Sequence, residues 1–177
     1  EPHSRIIDPT IEIRQVTPKD RASLADISSW LARFHTQAPI WAVARPEDLP
    51  ALREGYANLV DDEMAIGWLA LQNDEIAGFQ VYFITPPAED DLLMSNTCLK
   101  LIVAGTFEEF QGQGIGQALT YRALSEARRQ GYQACLTDWR TANPLAARFW
   151  PQQGFQPAMY RLRRRIDERI LWAHGVD

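Results

Sequence analysis

The chain has 177 residues, 46 % of them hydrophobic and 23 % charged, with a net charge of −5. That balance suits one ordinary globular domain with a single sizeable core. It argues against a general nucleic-acid binder, which carries a basic patch or stripe. No apolar run approaches the length of a membrane span, and no signal peptide is visible in the first residues. A cytoplasmic, reducing setting is therefore expected. Cys98 and Cys135 form no framework and have no metal-ligand spacing, so they read as buried thiols and no metal is expected.

Residues 1–9 read as a tail and 10–177 as a single domain. Thr10 to Val16 alternates as a first strand. Thr17 then caps a helix with Pro18 at its first position, and Leu24, Ile27, Trp30, Leu31 and Phe34 form its apolar stripe. A second helix starts near Pro46, with Leu49, Leu52, Tyr56 and Leu59 on one side. Two strands follow, Met64 to Gln72 and Ile76 to Thr85, joined by Asn73-Asp74-Glu75 as in a hairpin. Thr97 to Thr106 is a strong strand. A glycine-rich turn leads into a helix with Ile115, Ala118, Leu119 and Leu124 inward, and Gly131 ends it. Tyr132 to Trp139 reads as a strand. Asn143-Pro144 opens a fourth helix. Phe155 to about Leu171 reads as one or two closing strands, and the basic run Arg161 to Arg165 as a solvated face. This order predicts an α/β fold with a mixed sheet: antiparallel hairpins first, then a parallel crossover around the glycine turn.

That turn, FEEFQGQGIGQAL from Phe107 to Leu119, holds three alternating glycines, Gly112, Gly114 and Gly116. A dinucleotide fingerprint fails on spacing, since its third glycine falls on Gln117 or Leu119. A Walker loop fails because no glycine is followed by lysine. A helix N-terminus that glycines leave open to a pyrophosphate remains, against a tight turn with no ligand.

The form Gln111-x-x-Gly114-x-Gly116 resembles the pyrophosphate loop of the GNAT N-acetyltransferase superfamily. A second motif, NPLAARFWPQQGF from Asn143, is similar to that family's C-terminal motif at Asn143, Ala146, Phe149, Trp150, Gly154 and Phe155. The element order extends the likeness over residues 10–171. The resemblance implies a mostly antiparallel mixed sheet flanked by about four helices, with one splayed parallel pair between Thr97–Thr106 and Tyr132–Trp139. It also implies acetyl-CoA as acyl donor and an amine of a small molecule or peptide as acceptor. Dimers are common in the family, so a homodimer is an expectation.

By the same resemblance, Ala104, Gly105 and Thr106 offer backbone to the pantetheine arm. Gln111, Gly112, Gln113, Gly114, Ile115, Gly116 and Gln117 hold the pyrophosphate, and Asn143 and Trp150 face the coenzyme. Asp138 stands where one branch of the family has a glutamate base. It reads equally as a strand-end aspartate bonding the next turn. Trp150 replaces the tyrosine that usually protonates the leaving thiolate, and an indole is no practical acid. Three explanations stay open. The thiolate leaves unaided, which is the preferred reading. Another hydroxyl, Tyr160 or Tyr121, reaches in. Or the protein is a non-catalytic acyl-CoA-binding domain. Glu108 and Glu109 read as solvated. On the acceptor side His35, Trp41 and Asp61-Asp62-Glu63 are candidates, against a helix-end histidine, a core tryptophan and a solvated acidic turn.

Overall fold

The computed structural model describes residues 10–162, apart from 85, 88, 90 and 92. It contains β1 (Ile11–Gln15), α1 (Arg21–Thr36), α2 (Leu49–Asn58), β2 (Ala65–Gln72), β3 (Glu75–Phe83), β4 (Cys98–Thr106), α3 (Ile115–Arg129), β5 (Ala134–Leu136) and α4 (Pro144–Gln152). The five strands form one sheet in sequence order. β1 to β4 pair antiparallel, and β5 joins β4 in parallel. The expected mixed sheet with four helices is thus the observed one.

The β2–β3 hairpin turns through Asn73 and Asp74, with φ of 53° and 64°. Asn and Asp tolerate the left-handed region, and such a two-residue turn matches strand twist. Glu75 belongs to β3, not to the turn. A single 3₁₀ turn precedes both α1 and α2, each with a proline at its first position. α1 is held to β1 by Asp20. That buried carboxylate accepts two 2.8 Å bonds from the Arg14 guanidinium and two more from the Thr17 N–H and hydroxyl.

The sheet separates two apolar clusters. Along β2, Trp68 and Ala70 face one side and Leu69 and Leu71 the other, as strand alternation requires. Leu24, Ile27 and Leu31 of α1 cover the side of Leu69 and Phe79. Ile115, Leu119, Ala123 and Ala127 of α3 cover the side of Tyr82, Leu99 and Leu101, together with Trp150 of α4.

Several sequence expectations need correction. β5 has three residues, not eight, because only these pair with β4. Residues 155–162 form no strand; the rest of that expectation, and the 1–9 tail, lie outside the described residues. Trp41 is no core tryptophan: it is 71 % exposed, in the α1–α2 loop. α2 has no buried residue, and Leu52 on its stripe is exposed. The thiols are free as expected, Cys98 buried and Cys135 half-buried, and burial pushes Cys135 up to about 12.

Candidate acyl-transfer site

The parallel pair opens after three residues. Cys98 to Lys100 pair with Ala134 to Leu136, and β4 then runs on to Thr106 with no described strand on that side. Its other side stays paired with β3 as far as Gly78↔Thr106. The chain after β5 turns away, with the Asn143 N–H bonded to the Arg140 carbonyl at 2.9 Å. A strand edge left open carries unpaired N–H and C=O groups, which suit an extended chain with amides of its own.

A bulge sets which β4 side chains border this opening. Val81 pairs with Val103 and Tyr82 with Leu101, so Ile102 is the extra residue, and it is exposed. The extra residue reverses the alternation beyond it. Leu99 and Leu101 face α3, but so does Ala104, while Val103 faces α1. Gly105 accordingly points toward α1. A Cβ there would lie 2.7 Å from the Phe79 ring and 3.0 Å from Trp30, so aromatic packing excludes any side chain.

From Thr106 the chain passes through a 3₁₀ turn, Glu108–Phe110, to the glycine loop and α3. Gly112 and Gly114 have φ of 78° and 86°, a conformation other residues rarely adopt, and the space around both is open. Gly114 is the cap of the 15-residue α3. The first N–H groups of that helix have no intrahelical partner, and the helix dipole favours an anion there. Gly116 serves differently. A Cβ on it would lie 3.3 Å from the Phe149 ring and 3.5 Å from the Thr106 hydroxyl, so it admits close packing of α4. Gln111 donates from its side chain to the Thr106 carbonyl at 3.1 Å, and Gln113 to the Glu109 carbonyl at 3.0 Å. Both amides brace the loop's own backbone. Ile115 is buried and anchors the helix start, while Gln117 is half-buried.

A buried polar chain ties this helix start to β3. The Tyr82 hydroxyl donates to Gln80 at 2.6 Å, and the Gln80 amide donates to the Thr120 hydroxyl at 2.8 Å. Thr120 donates to the Gly116 carbonyl at 2.8 Å. Gln80 and Thr120 escaped the sequence reading. A glutamine in the middle of the apolar run IAGFQVYF is the signal that could have found them.

The remaining candidates lie around the opening or away from it. Asn143 caps α4, accepting from the Leu145 and Ala146 N–H groups at 3.2 and 3.3 Å. Trp150 is buried, edge-on to Phe149 at 4.8 Å and to Phe155 at 5.2 Å. Phe149, its neighbour, is the aromatic that lies against Gly116. Asp138 is exposed two residues beyond β5, and Tyr160 and Tyr121 are also exposed. Asp61 pairs with Arg21, Asp62 accepts from the Met64 N–H, and Glu108 and Glu109 are exposed. His35 lies half-buried in the last turn of α1, and its carbonyl accepts from the Ala42 N–H at 2.8 Å. Burial, and then the charge of Arg140, hold the His35 imidazole below its usual value. Arg140, also missed in the sequence, donates to the Ile40 carbonyl and so joins the β5–α4 segment to the α1–α2 loop.

Among the described residues no group of three or more His, Cys, Asp or Glu side chains could hold a metal ion. No described helix is long and apolar enough to cross a membrane.

The same architecture recurs in solved structures. The aminoglycoside acetyltransferase meta-AAC0020 from an uncultured soil metagenomic sample, in complex with sisomicin, is 14 % identical with a TM-score of 0.67, covering 91 % of this chain and 99 % of its own. A variant of the BH1408 protein from Bacillus halodurans is 17 % identical with a TM-score of 0.73, covering 88 % and 99 %. The ribosomal-protein-alanine N-acetyltransferase of Brucella melitensis biovar Abortus is 15 % identical with a TM-score of 0.62, covering 89 % and 99 %. No curated protein sequence matches the chain. Residues 24–155 match the profile of the Acetyltransferase (GNAT) family. That span runs from α1 through the opened strand pair and the glycine loop to Phe155, and the chain belongs to the GNAT acetyltransferase family.

Proposed function

We propose that the protein transfers an acetyl group from acetyl-CoA to an amine of a small molecule or peptide, by direct attack with donor and acceptor bound together. The observation that carries this is the edge of β4 from Ile102 to Thr106, which pairs with no described strand on that side and runs into a left-handed glycine loop at the start of α3. The edge offers backbone partners to the pantetheine amides, with Ala104, Gly105 and Thr106 nearest the loop. The loop from Gly112 to Gln117 offers N–H groups and a helix dipole to the pyrophosphate. Gln111 acts indirectly, by fixing the loop to Thr106. Asn143 acts likewise by fixing α4.

An amine acceptor fits two structural relatives, one bound to the aminoglycoside sisomicin and one acting on ribosomal-protein alanine. Asp138, exposed beyond β5, draws a cationic amine toward the opening by charge. A backbone N–H on the open strand stabilises the oxyanion that develops on the thioester carbonyl. The thiolate needs no dedicated acid, since a thiol ionises within about two units of neutral pH. Trp150, buried against Phe149 and Phe155, serves packing in this reading.

Calorimetry with coenzyme A, followed by thiol release from acetyl-CoA, tests the proposal. The acceptors are sisomicin, spermidine, lysine and an alanine-initiated peptide. Binding with turnover of at least one amine is expected. Binding without turnover of any amine points to an acyl-CoA-binding module, and absence of binding sinks both readings.

A further inference from the structure

We propose that His35 is the group that takes the proton from the acceptor amine. The assignment rests on the acyl-transfer reading above and concerns the same opening.

Three sets of contacts link His35 to the two strands of the splayed pair. α1 lies over the far end of β4: the Trp30 ring is what a side chain at Gly105 would strike, and it meets Phe107 edge-on at 4.7 Å. Phe34 stacks on Trp30 at 5.4 Å, and the His35 ring lies tilted against Phe34 at 6.0 Å. On the other side, Arg140 reaches from beyond β5 to the Ile40 carbonyl, and the Ala42 N–H closes the loop onto the His35 carbonyl. His35 is thus linked through Phe34 and Trp30 to the end of β4, and through Arg140 to the segment after β5. Those are the two strands whose separation makes room for the donor.

Chemistry favours an imidazole there. A general base works best when its pKa lies near the operating pH, and it must be neutral to accept. Burial favours the neutral form of the His35 imidazole, and the Arg140 guanidinium adds to this. Arg140 is the charged group that the β5–α4 segment brings to the ring, while Phe34 flanks it on α1. Asp138 is exposed and better suited to attract the amine than to deprotonate it.

The step balances as follows. An ammonium acceptor gives one proton to the imidazole, which becomes imidazolium. The freed nitrogen lone pair attacks the thioester carbonyl carbon and forms the C–N bond. The C–S bond breaks, and its electron pair leaves on sulfur. The second nitrogen proton passes through water to the thiolate, and the imidazolium returns its proton to solvent. The products are amide, thiol and one proton.

The test uses the full chain with His3→Asn and His174→Asn, so that His35 is the only imidazole. Its ring signals are followed by NMR against pH, with and without coenzyme A. The pH profile of kcat/KM is measured with the fastest amine of the panel. The ring is expected to titrate below the ordinary value of about 6.5 and to shift when coenzyme A binds. The acid limb of kcat/KM should match that titration. Arg140→Gln should move both upward together. His35→Gln should lower kcat by about 10² or more and erase the limb, whereas Asp138→Asn should raise KM and keep it. A limb that survives His35→Gln but vanishes in Asp138→Asn overturns the assignment. So does a ring that ignores both coenzyme A and the loss of Arg140, a result that stands even if His35→Gln fails to fold. If no amine is turned over, the acyl-transfer reading falls and this assignment with it. A changed limb with intact turnover bears on His35 alone.

Discussion

Asp20 is the only fully buried carboxylate among the described residues, and every bond it makes is local. The Arg14 guanidinium, with help from Thr17, holds it well below the usual carboxylate range. The unfolded chain binds that proton more readily than the folded one. The contribution to stability is therefore full above an unfolded carboxylate value of about 3.9, and it fades as pH falls through the lower folded value. Asp20→Asn should cost about 1–3 kcal/mol at neutral pH in urea titrations. The gap to the wild type should narrow below about pH 3. Gly114 poses the opposite test, because backbone and not side chain is at stake. Gly114→Ala must hold a left-handed φ, at a cost of about 1–2 kcal/mol. Any relaxation redirects the N–H groups at the start of α3. We expect coenzyme A affinity to fall about tenfold, equivalent to about 1.4 kcal/mol, by calorimetry. Gly116→Ala should harm affinity less, since the contact at 3.3 Å is a ring that can give.

At the scale of elements, the junction of β3 and α3 is set by the Tyr82–Gln80–Thr120–Gly116 chain. Thr120→Val should strand the Gln80 amide and lower stability by about 1–3 kcal/mol. Replacing the whole set, Tyr82→Phe with Gln80→Leu and Thr120→Val, should recover part of that loss. Apolar partners of similar shape leave nothing unsatisfied. Thermal unfolding of the single and triple variants checks this, and a triple variant weaker than Thr120→Val alone would refute it. This junction also marks how far sequence could be read. The hairpin was legible because Asn73-Asp74 names its own turn. The glycine loop was legible because Gly112 and Gly114 carry their backbone requirement with them. Elements whose limits depend on a partner were not. β5 is short because the chain leaves β4 after Leu136, and nothing in YQACLTDW records that departure. Gln80 and Thr120 lie 40 residues apart, Arg140 and Ile40 100 apart. Gly105 entered the sequence reading only for its backbone, and its neighbours alone show that Phe79 and Trp30 occupy the space a side chain would need. The core alternative for Trp41 failed because composition cannot tell a buried indole from one on a loop.

For the whole molecule, ligand binding and folding are linked by mass action. At 100 times its dissociation constant, coenzyme A should raise stability by about 2.7 kcal/mol. For a chain of this size that corresponds to a Tm rise of roughly 5–10 °C, at about 2–4 °C per kcal/mol. Scanning fluorimetry measures it directly, and a shift near zero at saturating coenzyme would contradict the proposed site. Gly114→Ala should show a smaller shift at the same concentration.

The sheet that divides the two apolar clusters has a consequence for how such a protein can change. The clusters share no residue: one packs α1 and the other packs α3 with α4. Changes on opposite faces, such as Leu24→Ala and Leu119→Ala, meet no common neighbour, so their energetic effects should simply add. Apolar positions on the α1 side can thus accumulate substitutions while the glycine loop keeps its own foundation. A lineage can drift toward new acceptors by remodelling one side of the partition, with the donor side inherited intact.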